Sequence, residues 1–126
     1  MSNIDFHSHS EISDGLYTPR EVVRLAAENE VDVLALTDHD SLGGLSDARD
    51  QAHDLGIQFV DGVEVSVTWS AKTVHIVGLN IDPTHMGLRA GLETIRSGRI
   101  KRAEKMAESL SRVGIGGVLQ GAMSFA

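Results

Sequence analysis

The sequence predicts an α/β fold built on a parallel sheet or barrel. Three observations lead there. Strand-like and helix-like segments alternate along the chain with short turns between them. One of the strand-like runs, Val33 to Thr37, is nearly continuously apolar, as expected for a strand covered on both faces. Capping residues bracket the helical segments. At 126 residues, 41% of them hydrophobic, the chain has the size of one domain with a real core.

The elements follow in order. Ile4 to His9 reads as a first strand. Thr18-Pro19-Arg20-Glu21 supplies an N-cap, a proline at the first helical position and a capping-box glutamate three residues after the cap. A helix from Pro19 to about Asn29 follows, with Val22, Val23, Leu25 and Ala26 on its inner side. After the Val33–Thr37 strand comes a helix from Leu45 to Leu55, where Leu45, Ala48, Ala52 and Leu55 repeat at helical spacing and Gly56 is the C-cap. Ile57 to Val67 and Thr73 to Ile81 are strand-like. The Ser70-Ala71-Lys72 turn between them is too short for a helical crossover, so they form an antiparallel hairpin. Thr84 to Val113 is helical with a weak point at Gly98 and a stop at Gly114; Gly116 to Ala126 shows no clear ending.

Composition narrows the chemistry. The chain has no cysteine, so a disulfide framework, a thiolate zinc ribbon and a cysteine nucleophile are excluded, and a metal site must use nitrogen and oxygen donors. Met1 to His9 lacks a basic segment followed by an apolar one, and no apolar run approaches the ~20 residues of a membrane span. The expectation is a cytoplasmic protein without a membrane or an obligate protein partner. Of the net charge of −7, the segment Arg89 to Arg112 holds seven basic residues against three acidic ones, leaving the remainder strongly acidic. An acidic body repels a phosphorylated substrate unless bound cations invert the local field.

Six positions carry metal-ligand chemistry near strand ends and turns. His7 and His9, one residue apart on a strand, project from the same face about 6.8 Å apart along it. Asp14 follows in the next loop. His39, between Asp38 and Asp40, follows the second strand, Glu64 lies in the third, and His75 lies in its hairpin partner. Four imidazoles and two carboxylates suit manganese, iron or zinc better than calcium. Asp38 and Asp40 serve either as helix caps or, as preferred here, to orient the ligands by hydrogen bonds. His53, beside Asp54 on a helix, and His85, in a turn, read as surface residues.

These residues carry a family resemblance. Asp5-Phe6-His7-Ser8-His9-Ser10, Ser13-Asp14-Gly15, Pro19, Thr37-Asp38-His39-Asp40, Gly62-Val63-Glu64-Val65-Ser66 and His75-Ile76-Val77-Gly78, in that order, resemble the PHP (polymerase and histidinol phosphatase) superfamily. The likeness is greatest to its bacterial 3′,5′-nucleoside bisphosphate phosphatase and 5′-3′ exoribonuclease branch. It implies a distorted (βα)7 barrel with three divalent metals at its mouth, manganese first, with iron, zinc or magnesium as alternatives. His7 and His9 would bind the first metal, Asp14 and His39 the second and His75 the third, with Glu64 bridging the first and third. A metal-bridging hydroxide would attack phosphorus, and no further side chain would be catalytic. The substrate would be a phosphorylated nucleotide or short RNA.

The resemblance also implies further histidines and a late Asp-x-His, which this sequence does not contain after His85. The expectation is therefore the N-terminal portion of a barrel carrying metal ligands over residues 1–83, the start of a helical insertion over 84–126, and the rest of the barrel outside this chain. In the basic helix, Ile95, Arg99, Arg102, Met106, Leu110 and Val113 form one stripe, so Arg99 and Arg102 are expected to face inward and, with Lys105, to grip a substrate phosphate or backbone. Three rivals share part of this pattern: a histidinol-phosphate phosphatase with the same ligands, a metal-dependent amidohydrolase that also opens on a His-x-His strand, and a structural PHP module of a polymerase.

Overall fold

A computed structural model describes residues 2–124. The elements run β1 (Ile4–Ser8), α1 (Pro19–Glu28), β2 (Val33–Leu36), α2 (Leu45–Leu55), β3 (Gln58–Trp69), β4 (Lys72–Leu79), α3 (Met86–Arg112) and α4 (Val118–Met123). The strands form one sheet in the order β1-β2-β3-β4. β1, β2 and β3 are parallel, and β4 returns antiparallel along β3, as the short turn requires.

Local chemistry sets the helix ends. The Thr18 hydroxyl oxygen accepts from the Glu21 backbone N–H and the Glu21 carboxylate accepts from the Thr18 backbone N–H, with Pro19 in the first turn. Both early donors of α1 are thereby satisfied. Gly56 closes α2 at φ 73°, a left-handed conformation that costs glycine little.

The core lies between the sheet and these two helices. Val23 and Ala26 of α1, Leu45, Ala48 and Ala52 of α2, and Leu34 and Leu36 of β2 are buried together with Ile57. Burying each of the larger aliphatic side chains contributes roughly 1.5–3 kcal/mol. The alanines let α1 and α2 pack closely against each other. Leu25 and Leu55, expected inside, are more than a third exposed, because each sits at the rim of its helix's buried stripe.

The chain divides into two compact units between Leu92 and Glu93. The first holds the sheet, α1, α2 and the opening turns of α3, where Leu92 is buried. The second holds the rest of α3 and α4. α3 runs unbroken through Gly98, so the expected weak point there does not interrupt it. Gly114 and Gly117, both at positive φ, turn the chain into α4, the element in which the unassigned ending resolves.

The stripe expected to face inward on α3 is half-buried within its own unit only at Ile95 and Leu110. Arg99, Arg102 and Lys105 are exposed, and Met106 and Val113 are 60% and 72% exposed. The half-buried positions are Ile95, Arg96 and Ser97, then Ala103, Ala107 and Leu110, with Val118 and Leu119 of α4. Small alanines at helical spacing offer the flatter face, whereas the arginine stems on the predicted stripe leave their charged heads in water.

Candidate metal centre

The ligand-type residues of β1 and of the segment after β2 lie where the sheet departs from regular pairing, and those of β3 and β4 lie on a regular antiparallel ladder. Between Asp5 and Ser8 the β1–β2 register shifts. Beyond β2 the chain re-pairs with β3: His39 and Glu64 form an isolated parallel bridge, with the Asp40 N–H donating to the Glu64 carbonyl at 2.9 Å and the Glu64 N–H to the Asp38 carbonyl at 3.2 Å. Asp40 sits at φ 51°, a left-handed geometry that aspartate tolerates better than most residues. On the other side of β3, His75 stands opposite Ser66.

Glu64 is the centre of the cluster. Its side chain is only 8% exposed, and its Oε2 lies 2.7 Å from His7 Nε2, 3.0 Å from His9 Nε2 and 3.7 Å from His39 Nε2. Its other oxygen lies 3.1 Å from His75 Nδ1. Asp14, on the loop after β1, spreads its two oxygens between His9 Nδ1 at 3.1 Å and His39 Nε2 at 3.5 Å. The imidazole rings form a chain: centroids of His7 and His9 are 5.1 Å apart, His9 and His39 4.6 Å, and His39 and His75 4.9 Å.

Electrostatics favour an anionic centre. Burial alone would push the Glu64 carboxyl up, but the hydrogen bond with His7 and the fields of His39, His7 and His9 together outweigh it and hold the carboxyl below its ordinary range. The buried carboxylate is thus ready to accept a cation.

The residues fit divalent metals. Three sets, His7-His9-Glu64, His9-Asp14-His39 and His39-Glu64-His75, each offer ligand atoms within 4.8 Å of one another. Donors about 2.1 Å from an ion lie roughly 3.0–3.5 Å apart, close to several of these separations. The buried Nδ1 of His39 has no hydrogen-bond partner among the described residues, an unmet polar atom beside the cluster.

Asp38 and Asp40, expected to orient the ligands by hydrogen bonds, are both buried. Asp38 is 2% exposed and accepts from the Ser10 N–H, the Ser10 hydroxyl and the Ser13 hydroxyl. Asp40 is fully buried and accepts from the Ser66 N–H at 2.7 Å. Neither caps α2, whose N-cap is Gly44. His53 is 90% exposed, and His85 accepts from the Leu88 N–H at the start of α3, so both stay outside the cluster. Ser10 and Ser13, which carry no metal-ligand signal in the sequence, are the partners that hold Asp38.

Over residues 5–113 the chain matches the model of the PHP domain. The chain belongs to the PHP family. It is 54% identical over 123 residues to the 3′,5′-nucleoside bisphosphate phosphatase of Chromobacterium violaceum, covering 98% of this chain and 43% of that protein. It is 41% identical to the 5′-3′ exoribonuclease of Haemophilus influenzae, covering 97% of this chain and 44% of that one. A solved structure of an amidohydrolase from Chromobacterium violaceum, with bound sulfate and no metal, superposes with TM-score 0.88 at 53% identity, covering 99% of this chain and 44% of that one. A protein from Bifidobacterium adolescentis assigned as a metal-dependent phosphoesterase superposes with TM-score 0.80 at 28% identity, covering 88% and 39%. This PHP chain therefore spans less than half the length of these relatives, and its four-stranded sheet with flanking helices is part of a PHP barrel.

Proposed function

We propose that this PHP chain carries much of the active site of a phosphoesterase that removes a phosphate from nucleoside 3′,5′-bisphosphates and also degrades short RNA in the 5′-to-3′ direction. The observation that carries the reading is the convergence of four imidazoles and two carboxylates around buried Glu64. The names of the two relatives supply the substrate class, and the sulfate bound by the Chromobacterium structure belongs to the same tetrahedral oxyanion class as phosphate. Residues 1–83 are assigned to the barrel portion and 84–126 to the start of a helical insertion, in a cytoplasmic enzyme.

His7 and His9 are assigned to one ion, Asp14 and His39 to a second and His75 to a third, with Glu64 shared by the first and third. Manganese is the favoured ion. When bound, such ions lower the pKa of a water nucleophile and neutralise charge on the phosphoryl oxygens. The chain's own part is positional. Glu64 holds the imidazoles around one point, Asp38 and Asp40 fix the loops that carry them, and the centre needs no separate protein nucleophile. Arg99, Arg102 and Lys105 are assigned to the second phosphate or the RNA backbone, where guanidinium forks match phosphate oxygens.

The histidinol-phosphate reading uses the same ligands, but its substrate has no second phosphate for a basic helix to bind. A structural polymerase module has no need of an intact ligand set. The test is release of inorganic phosphate by the full-length protein with manganese. Adenosine 3′,5′-bisphosphate is expected to react much faster than histidinol phosphate, and the reverse ranking would overturn the reading.

A further inference from the structure

We infer that Ser13 is a positioning residue that fixes Asp14 between His9 and His39, so that ion occupancy of the His9-Asp14-His39 pocket depends on a hydroxyl outside the ligand set. The inference rests on the metal-centre reading above. It starts from an asymmetry between the two carboxylates. Glu64 is 8% exposed and held in a strand, whereas the Asp14 side chain is 64% exposed on a loop. A free, exposed carboxylate must give up rotamer freedom to bind an ion, which weakens the pocket it serves. Some other group has to hold it.

Ser13 is placed to do so. Its hydroxyl donates to Asp38 Oδ1 at 2.8 Å and lies 3.3 Å from Asp14 Oδ1 and 3.5 Å from His9 Nδ1. The loop beneath it is folded tightly, because the Ser13 and Gly15 N–H groups both donate to the Ser10 carbonyl, at 3.1 and 2.9 Å. Asp38 anchors the arrangement across 25 residues of sequence, so the Ser13 contact is not a local turn. Asp14 in turn uses one oxygen toward His9 and the other toward His39. A single change of its rotamer loses both.

Removal of the Ser13 hydroxyl leaves Asp38 with the Ser10 N–H and the Ser10 hydroxyl, each at 2.7 Å, and leaves the backbone bonds of the loop, so the fold persists while the direct tie between Asp38 and the residue beside Asp14 is lost. The effect should therefore fall on one ion and not on the fold. Groups that orient ligands typically change metal affinity by about 10–100-fold.

The test is calorimetric titration of manganese into the metal-free full-length protein, beside thermal unfolding of the same samples. Ser13→Ala should bind one ion at least about tenfold more weakly, with the remaining ions and the metal-free unfolding midpoint unchanged, and Ser13→Thr should restore the wild-type isotherm. An unchanged Ser13→Ala isotherm overturns the inference while leaving the metal centre standing. Equal weakening of every ion, or a lowered metal-free midpoint, overturns it by making Ser13 a general structural residue. A wild-type protein that binds no ion brings down the metal-centre reading and this inference with it.

Discussion

His39 and Glu64 are joined twice: their backbones form a one-residue parallel bridge, and their side chains meet with Nε2 and Oε2 3.7 Å apart. The bridge reaches three residues beyond the end of β2, so the loop that carries His39 is held in register with the strand that carries Glu64. The register depends on Asp40, whose left-handed backbone turns the chain and whose carboxylate accepts from the Ser66 N–H.

Asp40 substitutions separate those two roles. Asp40→Ala loses the acceptor and retains the costly backbone angle, so it should destabilise the protein by about 2–4 kcal/mol. Asp40→Asn keeps an acceptor oxygen and a tolerance for the left-handed region, and should lose less than half as much. Urea denaturation of the metal-free proteins checks the order. Equal losses would mean that the Ser66 contact contributes little.

Gly15 matters through space and not through its dihedral angles. A Cβ there would stand 2.5 Å from the His9 carbonyl oxygen and 2.9 Å from the Ser10 carbonyl carbon, both of them backbone atoms that cannot swing aside. Gly15→Ala should push the Asp14 loop off the end of β1. The expected result is reduced metal content by elemental analysis, with the far-ultraviolet circular dichroism spectrum preserved. Wild-type metal content would show that the loop adapts without moving Asp14.

Much of this was legible in the sequence, and the reasons differ by element. α2 matches its predicted range because Leu45, Ala48 and Ala52 repeat at helical spacing and Gly56 stops it. The capping box of α1 is a local interaction, so Thr18 and Glu21 reveal it without tertiary information. The convergence of His7, His9, Asp14, His39, Glu64 and His75 was also anticipated, because strand ends and hairpin turns are places where distant residues meet. The inner face of α3 was not. In a 27-residue helix, apolar residues spread around the circumference, and periodicity alone could not choose Ala103 and Ala107 over Arg99 and Arg102 as the neighbours of Leu110. The Ser13–Asp38 contact was hidden for another reason: nothing in either local sequence tells which buried carboxylate a loop hydroxyl will find.

The α1 capping box gives a pH signature through Glu21, which lies outside the ligand sets. The side-chain hydrogen bond from Thr18, then the one from its backbone N–H, hold the Glu21 carboxyl below its ordinary value of 4.5, with Arg24 adding a smaller pull against slight desolvation. A depressed folded-state value contributes stability that is complete above the unfolded value and is lost as pH falls through the folded one. The stability difference between wild type and Glu21→Ala should therefore be constant at neutral pH and shrink on acidification below about 4.5. Glu21→Gln can keep the reciprocal capping pattern without a charge, and its difference from Glu21→Ala should change little over the same range. Urea denaturation midpoints across the acidic range check both.

The basic residues of α3 offer the sharpest division between binding and metal chemistry. Arg102 is exposed and has no place among the ligand sets, so Arg102→Ala should leave manganese content unchanged. A guanidinium that grips a second phosphate contributes a charge-assisted hydrogen bond worth about 1.5–3 kcal/mol, so its loss should raise KM for a 3′,5′-bisphosphate roughly 10–100-fold. Arg102→Lys keeps the charge without the planar fork and should fall between the two. A substrate with a single phosphate should be affected far less, because the group that Arg102 is assigned to bind is missing from it. If steady-state kinetics show equal losses for both substrates, or none for either, Arg102 belongs to the solvent-exposed surface of α3 and the second phosphate is held elsewhere.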